Sequence, residues 1–325
     1  MFFSRKLTPD SPPVVLITGA STGVGLALAR RLVGAPFRVV LTARESSLRR
    51  LQKETFFGDP RFTILPLDVT SAQSRQALIA EIDARLGGVD ILVNNAGISY
   101  RSVIEHMSDD DLSKQIDTNF HGPLSLIRLV LPGMRKKGRG RIINISSVGG
   151  MMAMPTMGAY SASKWALEGA SEALWYETRP WDIRVTLVQP GFINSDSFKH
   201  VYLNEKAKAS SLDPQDPYHE YYRHMAPFIL KLMRKSPSSA EDVAQVVYKA
   251  LTMWRPPLRM AATRDAWIFG LIRRVVPRGL YHWLLYLSLP GIRQWRNTYR
   301  LQDYYAEKTS PGIKRPPGDG GQGAA

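Results

Sequence analysis

Near its start the chain combines a short apolar segment, a glycine-rich turn and a helical pattern. Val14 to Ile17 are four consecutive apolar residues, the turn reads TGASTGVG from Thr18, and LALARRLV follows with apolar residues at helical spacing. A strand that is apolar on both faces suits the interior of a parallel sheet, because helices cover both sides of such a sheet. Glycines between a strand and a helix let the backbone approach a phosphate at the helix N-terminus. This unit predicts the first βα step of a parallel-sheet fold that binds a phosphorylated ligand.

The same alternation continues along most of the chain. Further short apolar runs predict strands at 38–42, 62–65, 90–93, 141–145, 185–188 and 258–262. Apolar residues at helical spacing predict helices at 71–86, 123–137, 160–178 and 240–253. Strands that alternate with helices favour one doubly wound α/β sheet.

One stretch, SVGGMMAMPTMGAYSASK from Ser147 to Lys164, carries side chains that can do chemistry. Tyr160 and Lys164 are four residues apart in a predicted helix, so they share one face. A free tyrosine has a pKa of about 10, and a neighbouring cation lowers it. The pair is therefore a candidate proton donor and acceptor, and the Ser147 hydroxyl a candidate second hydrogen bond to the same substrate oxygen. Alone, such a pair is also typical of a solvated helix face.

Charge and composition limit the remaining possibilities. The formal net charge is +15, no cysteine is present, and the six histidines have no metal-ligand spacing. These features predict no metal site and no disulfide. The N-terminal segment is too short and polar for a signal peptide, and no segment reaches the roughly 18 apolar residues that span a bilayer. A cytoplasmic location is the expectation.

Several motifs then occur in a fixed order along the chain. They are TGASTGVG, Asp68, NNAG at 94–97, Asn119, Ser147, Tyr160, Lys164 and Pro190-Gly191. In these motifs the chain resembles the short-chain dehydrogenase/reductase family over roughly residues 14–195, with the glycine spacing of its single-domain branch. The resemblance implies a Rossmann-type sheet of about seven strands. SVGGMMAMP, ALEGASEAL and RPPLR are more loosely similar to the 17β-hydroxysteroid and retinol dehydrogenase group, which implies a steroid, a retinoid or a long-chain lipid as substrate.

The resemblance also implies roles for individual residues. Tyr160 would be the general acid/base, and Lys164 would hold the nicotinamide ribose and lower the tyrosine pKa. Ser147 would orient the carbonyl, and Asn119 would bind a proton-relaying water; a helix cap is the alternative for Asn119. Asp68 and Val69 would face the adenine, and Asn95 would also brace the sheet. The full expected cofactor set adds Gly19, Ser21, Thr22, Gly23, Val24, Gly25, Ala96, Gly97, Pro190, Gly191, Ile193 and Ser195.

The end of the second predicted strand bears on the choice between NAD and NADP. An acidic residue there holds the ribose 2′-hydroxyl, whereas an arginine accommodates a 2′-phosphate. This chain has Ala43 at the acidic position and Arg44 directly after it. The sequence therefore predicts NADP(H), with a surface arginine as the alternative reading.

The chain beyond residue 195 leaves the family core. We assign residues 1–262 to the catalytic domain, with a substrate lid at 196–235, then a basic apolar helical extension at 263–302 and a disordered tail at 303–325. The lid contains aromatic residues and methionine, which together with Met151, Met152, Met154 and Met157 predict a wide apolar pocket. Padding of the core is the alternative.

The extension combines positive charge with apolar runs. Residues 255–300 contain nine arginines and one acidic residue, Asp265, for a net 9 − 1 = +8. Such helices suit a membrane interface, so a peripheral membrane contact through 263–300 is one prediction. Helices that pack on their own domain, with arginines facing water, are the other.

These observations predict an NADP(H)-dependent oxidoreductase that interconverts a carbonyl and an alcohol on an apolar small molecule. A non-catalytic NADP-binding regulator is the main alternative, although it would not need Ser147, Tyr160 and Lys164 together. The charge alone would suit a nucleic-acid binder, but no nucleic-acid motif is present, so none is expected as a partner. The family resemblance implies a homodimer or tetramer.

Overall fold

The computed structural model describes residues 12–194 and 201–295. The described strands are Val14–Ile17 (β1), Arg38–Ala43 (β2), Phe62–Pro66 (β3), Ile91–Asn94 (β4), Ser99–Tyr100 (β5), Gly140–Ile145 (β6), Ile183–Gln189 (β7), Val201–Tyr202 (β8) and Arg259–Ala261 (β9). The described helices are Gly23–Arg31 (α1), Leu48–Leu51 (α2), Ala72–Leu86 (α3), Asp109–Ile116 (α4), Gly122–Lys137 (α5), Gly158–Thr178 (α6), Glu205–Leu212 (α7), His219–Lys235 (α8), Ala240–Thr252 (α9), Arg264–Val275 (α10) and Arg278–Leu287 (α11).

The main sheet has seven parallel strands in the order β3-β2-β1-β4-β6-β7-β9. This confirms the predicted Rossmann-type fold, and each predicted strand and helix is present with ends shifted by at most three residues. The strand order reverses direction between β1 and β4, which is the topological switch point of the sheet. In sheets of this kind the crevice outside the carboxyl ends of those strands is the usual ligand site.

Two apolar layers hold the sheet between helices. On one face Leu28 of α1 and Val247 of α9 belong to one buried cluster with the strand residues Ile17 and Val93. On the other face, α3 and α5 contribute Ile82 and Met134 to a second cluster. All four residues of β1 are fully buried, as expected for a strand covered on both sides.

The region after β7 places two helices above the carboxyl end of the sheet. Tyr222, Met225 and Ile229 of α8 are buried against neighbouring aromatic and methionine side chains. A second sheet, which the sequence did not predict, pairs the two-residue strands β5 and β8 in parallel. The rings of Tyr100 and Tyr202 lie 5.5 Å apart across this pair. A two-residue strand has too little periodicity to be recognised in a sequence.

Within its described residues, 263–295, the C-terminal extension forms α10 and α11 and packs on the domain. Tyr281 of α11 is 7% exposed and lies in a cluster with Val148, Met152 and Phe269. This contact joins α10 and α11 to the loop that follows β6. Within residues 12–194 and 201–295, no helix combines the length and the apolarity needed to cross a bilayer.

Candidate active site

A cavity of about 640 Å³ lies at the carboxyl end of the sheet, between β1 and β4. Glycine lets the backbone close one side of it. Gly19 has φ +65°, and a Cβ there would lie 2.8 Å from Ala96 Cα. The side-chain nitrogen of Asn95 donates to the backbone oxygens of Thr18 and Gly19, at 2.9 and 3.0 Å. Asn95 therefore fixes the glycine turn to the end of β4.

Most of the predicted cofactor residues line this cavity. They are Gly19, Ser21, Thr22, Gly23, Val24, Arg44, Asp68, Val69, Asn95, Ala96, Gly97, Tyr160, Lys164, Pro190, Gly191 and Ile193. Gly25 does not line it. A Cβ on Gly25 would lie 2.6 Å from both Asn95 Nδ2 and Gly19 O, so this glycine permits close packing behind the turn. Ser195 lies outside the described residues.

The three candidate catalytic side chains converge in the same cavity. Ser147 follows β6 and its hydroxyl oxygen accepts a hydrogen bond from Gly149 N at 3.0 Å. Tyr160 and Lys164 lie one turn apart on α6, with the lysine Nζ 6.0 Å from the centre of the tyrosine ring. The buried ammonium donates to Ile145 O at 2.8 Å, which directs it back toward β6.

The electrostatics differ from the expected pattern. Burial raises the pKa of the Tyr160 phenol, while the hydrogen bond with Ser147 and the positive charge of Arg101 act to lower it. The cation that acts on the phenol in this structure is Arg101, and a lowering of this pKa by Lys164 stays a prediction. Burial also lowers the pKa of Lys164 from 10.5 to about 8, against the opposing charge of Glu168.

Asn119 does not line the cavity. It lies in a π-helical segment, Asp117–His121, between α4 and α5. Its Oδ1 accepts from Ile98 N at 2.9 Å, and its Nδ2 donates to Ile98 O and to Ser163 Oγ, both at 3.0 Å. A Cβ at Gly97 would lie 3.3 Å from Asn119 Oδ1 and 3.9 Å from Lys164 Nζ, so both polar groups approach this glycine. Asn119 thus sits directly behind the cavity wall.

Only some of the predicted aromatic and methionine side chains line the cavity. Those that do are Met152, Met154, Met157 and Tyr202, and Phe192 and Met233 line it with them. Met151 instead packs with the extension helices, and Tyr218, Tyr221, Tyr222, Met225 and Phe228 form the interior of the lid region. The core-padding alternative therefore holds for most of the described lid side chains. Phe198 lies outside the described residues.

Two arginines at the cavity were not singled out from the sequence. Arg50 of α2 lines the cavity beside Arg44 and Ser47, and its position one helical turn beyond Ser47 was a signal that could have found it. Arg101 lies directly after β5. No local pattern distinguishes it from a surface arginine, since only the fold turns it toward Tyr160.

The doubly wound sheet, its glycine turn and the Ser147–Tyr160–Lys164 set define a dinucleotide-binding α/β protein of the dehydrogenase class. Comparison with known proteins agrees. The family model described as short chain dehydrogenase matches residues 13–206, and the chain belongs to this family.

Curated relatives refine the comparison. A 3-ketodihydrosphingosine reductase of Bacteroides thetaiotaomicron is 42% identical over 184 residues, which is 57% of this chain and 65% of that protein. Retinol dehydrogenase 8 of Bos taurus is 34% identical over 257 residues, 77% and 81% of the two chains. The human 17-beta-hydroxysteroid dehydrogenase type 1 is 31% identical over 255 residues, 77% of each. The chain is thus related to the steroid and retinol group, as the sequence motifs indicated.

Solved structures show the same fold. A short-chain dehydrogenase from Streptomyces avermitilis superposes with a TM-score of 0.70 at 30% identity, covering 92% of this chain and all of the other. A metagenomic short-chain oxidoreductase solved in complex with NADP gives a TM-score of 0.60 at 28% identity, covering 77% and 96%.

Proposed function

We propose that the protein is an NADP(H)-dependent oxidoreductase that interconverts a carbonyl and an alcohol on a largely apolar small molecule. The observation that carries this proposal is the convergence of Ser147, Tyr160 and Lys164 in one cavity with the glycine cradle. A regulator that only binds the dinucleotide would not need these three side chains together. Relatives named for sphingosine-type, retinol and steroid substrates support an apolar substrate class.

The residues of the cradle fit a dinucleotide. Gly19, Ser21, Thr22 and Gly23 line the cavity where α1 begins, and a helix N-terminus offers backbone N–H groups and a positive dipole to a pyrophosphate. Asp68 and Val69 would hold the adenine end, and Ile193 the end near Tyr160. When bound, the nicotinamide supplies the hydride for reduction of a carbonyl carbon or accepts it in the reverse direction.

The protein's own groups handle the proton. In reduction, the carbonyl oxygen accepts the phenolic proton of Tyr160 and a hydrogen bond from the Ser147 hydroxyl, which gives the alcohol. A raised pKa keeps Tyr160 protonated at neutral pH, and this state suits a proton donor. Lys164 would hold the ribose, and Asn119 would position the loop after β4 and the water that returns the proton.

Preference for NADP is supported by charge at the end of β2. Arg44 and Arg50 are exposed and line the cavity together. A guanidinium pairs with a phosphate through charge-assisted and often bidentate hydrogen bonds. Among the described lining residues the only acidic side chain is Asp68, so an additional phosphate would meet little repulsion.

Contact with an anionic membrane surface is the third element of the proposal. The outer faces of α10 and α11 expose apolar side chains, with Trp267 at 61%, Trp283 at 58% and Val275 at 70%. Arg264, Arg274 and Arg278 are exposed on the same helices. Arg259 is not available, because it pairs with Glu168 and Glu172, so the sequence count overestimated the free charge. Both alternatives for the extension thus have support: one face packs, and the other fits a lipid interface.

The catalytic assignment is tested by Tyr160→Phe, which keeps the ring and removes the proton. Turnover of apolar ketones followed by NADPH absorbance should fall about 10²–10⁴-fold, while NADPH binding stays close to that of the parent. Tyr176→Phe is the matched control, because Tyr176 lies on the same helix and is 62% exposed. If Tyr160→Phe turns over within tenfold of the parent, the assignment is wrong.

A further inference from the structure

Arg101 is a cation held against the reacting end of the cavity without a partner of opposite charge. It lines the cavity together with Tyr160 and Ser147. Within residues 12–194 and 201–295, its side chain forms no hydrogen bond and no ion pair, and its Nε is buried. Burial lowers the pKa of this guanidinium to about 10, a direction that reflects the cost of keeping the charge out of water.

The backbone around Arg101 is fixed on both sides. Arg101 N donates to Tyr202 O at 2.8 Å, and Ser102 N donates to Thr156 O at 2.9 Å. Ser102 also bridges to Met157, one residue before α6 begins. The arginine is therefore attached both to the lid region and to the start of the catalytic helix, and its position relative to Tyr160 follows from these bonds.

A second polar group in the segment that contains β5 and Arg101 also lacks a hydrogen-bond partner. Ser99 lies two residues before Arg101, so in an extended strand both side chains point to one face. Ser99 lines the same cavity, and its hydroxyl is buried with no hydrogen-bond partner. Buried polar groups are almost always satisfied, and two such groups side by side at a cavity wall indicate a ligand group that satisfies them.

We infer that the substrate carries anionic oxygens, of a carboxylate or a phosphate, close to the carbonyl or alcohol that reacts, and that Arg101 binds them. A guanidinium with no carboxylate neighbour forms its strongest bonds with such a group. The methionine-rich wall, Met152, Met154 and Met157, then receives the apolar remainder of the molecule. The inference rests on the proposed function and narrows its substrate class from an apolar carbonyl compound to an amphipathic anion.

Arg101 lies at a different part of the cavity from the arginines proposed to bind the cofactor phosphate. Arg44 and Arg50 follow β2, and β1 separates this strand from β4 in the sheet. Arg101 instead follows β5, and its charge acts on Tyr160. An ammonium group at the same place in a substrate would be repelled by Arg101, so amine-bearing analogues should bind poorly.

The test compares binding and turnover in a matched series of 4-oxododecanoate, its methyl ester and the chain-matched primary amine. Calorimetry measures binding to the full chain, and NADPH absorbance measures turnover. The parent should bind the acid at least about tenfold more tightly than the ester, since a hydrogen bond to a charged group is worth this much. Arg101→Gln should remove that preference, Arg101→Lys should retain part of it, and NADPH affinity should not change in either. Arg128→Gln, at an exposed arginine on α5, is the control.

The binding and turnover results test the role of Arg101 and the proposed function separately. Equal binding of acid and ester by the parent, or a preference that survives Arg101→Gln, overturns the inference even if ketones are reduced. If none of the series is turned over, the proposed function fails for these ketones, and calorimetry still decides whether Arg101 selects an anion. Dodecanoate and dodecyl phosphate as competitors then show whether the carboxylate or the phosphate is preferred.

Discussion

Asp265, the second residue of α10, accepts a hydrogen bond from Phe192 N at 2.7 Å. The hydroxyl oxygen of Thr263, two residues earlier, accepts one from Gly191 N at 2.9 Å. The C-terminal extension is thereby bonded to the loop that follows β7, which lines the cavity next to Tyr160. The extension is therefore attached to the candidate active site itself.

This attachment predicts the effect of Asp265→Ala. Loss of the carboxylate leaves the Phe192 N–H without its partner, at a cost of about 1–3 kcal/mol, and loosens the loop at the Tyr160 end of the cavity. We expect a lower Tm and weaker NADPH binding, whereas Asp265→Asn, which can still accept the bond, should be affected less. Arg264→Ala, at the exposed preceding residue, is the control. Unchanged NADPH affinity in Asp265→Ala would show that the loop does not depend on α10.

Arg44→Ala tests the proposed cofactor preference. Removal of a guanidinium from a 2′-phosphate should weaken NADPH about tenfold or more, and Arg44→Ala/Arg50→Ala should weaken it further. NADH affinity should stay nearly constant, because it has no such phosphate. Fluorescence titrations of both cofactors measure this, with Arg49→Ala as the control at an exposed arginine outside the cavity. A parent that binds NADH and NADPH equally well would contradict the preference.

The buried Lys164 should make stability depend on pH in the alkaline range. Its pKa falls from 10.5 to about 8 on folding, which corresponds to roughly 3 kcal/mol against folding while the lysine is charged. This cost is fully present below about pH 8 and is lost as the pH rises toward 10.5, because there the unfolded chain binds a proton that the folded chain has released.

The measurement compares the free energy of unfolding of the parent and Lys164→Met by urea denaturation at several pH values. Both proteins should carry Tyr160→Phe, so that the neighbouring phenol does not titrate, and both keep Glu168, the charge that opposes the shift. The protein that keeps Lys164 should gain stability relative to the one with Lys164→Met between about pH 8 and 10.5. A constant difference across that range would mean that Lys164 has an ordinary pKa in the folded protein.

The exposed face of the extension should bind anionic vesicles. Each basic residue near such a surface contributes about 1 kcal/mol, and the exposed indoles add interfacial burial. Sedimentation with anionic and neutral liposomes should show salt-sensitive binding to the anionic ones, and Trp267→Ala/Trp283→Ala should reduce it strongly. Trp181→Ala, an exposed tryptophan in the turn before β7, should not. Equal binding by all three proteins would exclude this face as the contact.

Much of the fold could be read from the sequence because the decisive signals are local. Four apolar residues at 14–17, followed by a helical pattern, indicate a strand that helices cover on both faces. The glycines between the two indicate a tight turn. The order of motifs from Thr18 to Gly191 indicated the family and the Ser147, Tyr160 and Lys164 set. The strand and the turn depend on near neighbours in the chain, so periodicity and spacing record them, whereas the family and the three side chains were indicated by the resemblance.

Tertiary structure decided what depends on contacts between distant residues. Only the fold shows that Gly25 packs against Asn95, that Asn119 stands behind the cavity, and that most lid aromatics fill the interior. It also bonds Asp265 to Phe192 and places Arg101 at the same cavity as Tyr160, where burial raises the pKa of the phenol and the charge of Arg101 acts to lower it. An arginine is written the same way in a sequence whether it faces water or a buried tyrosine. Its environment is set by chain segments that meet only when the sheet and the lid are assembled.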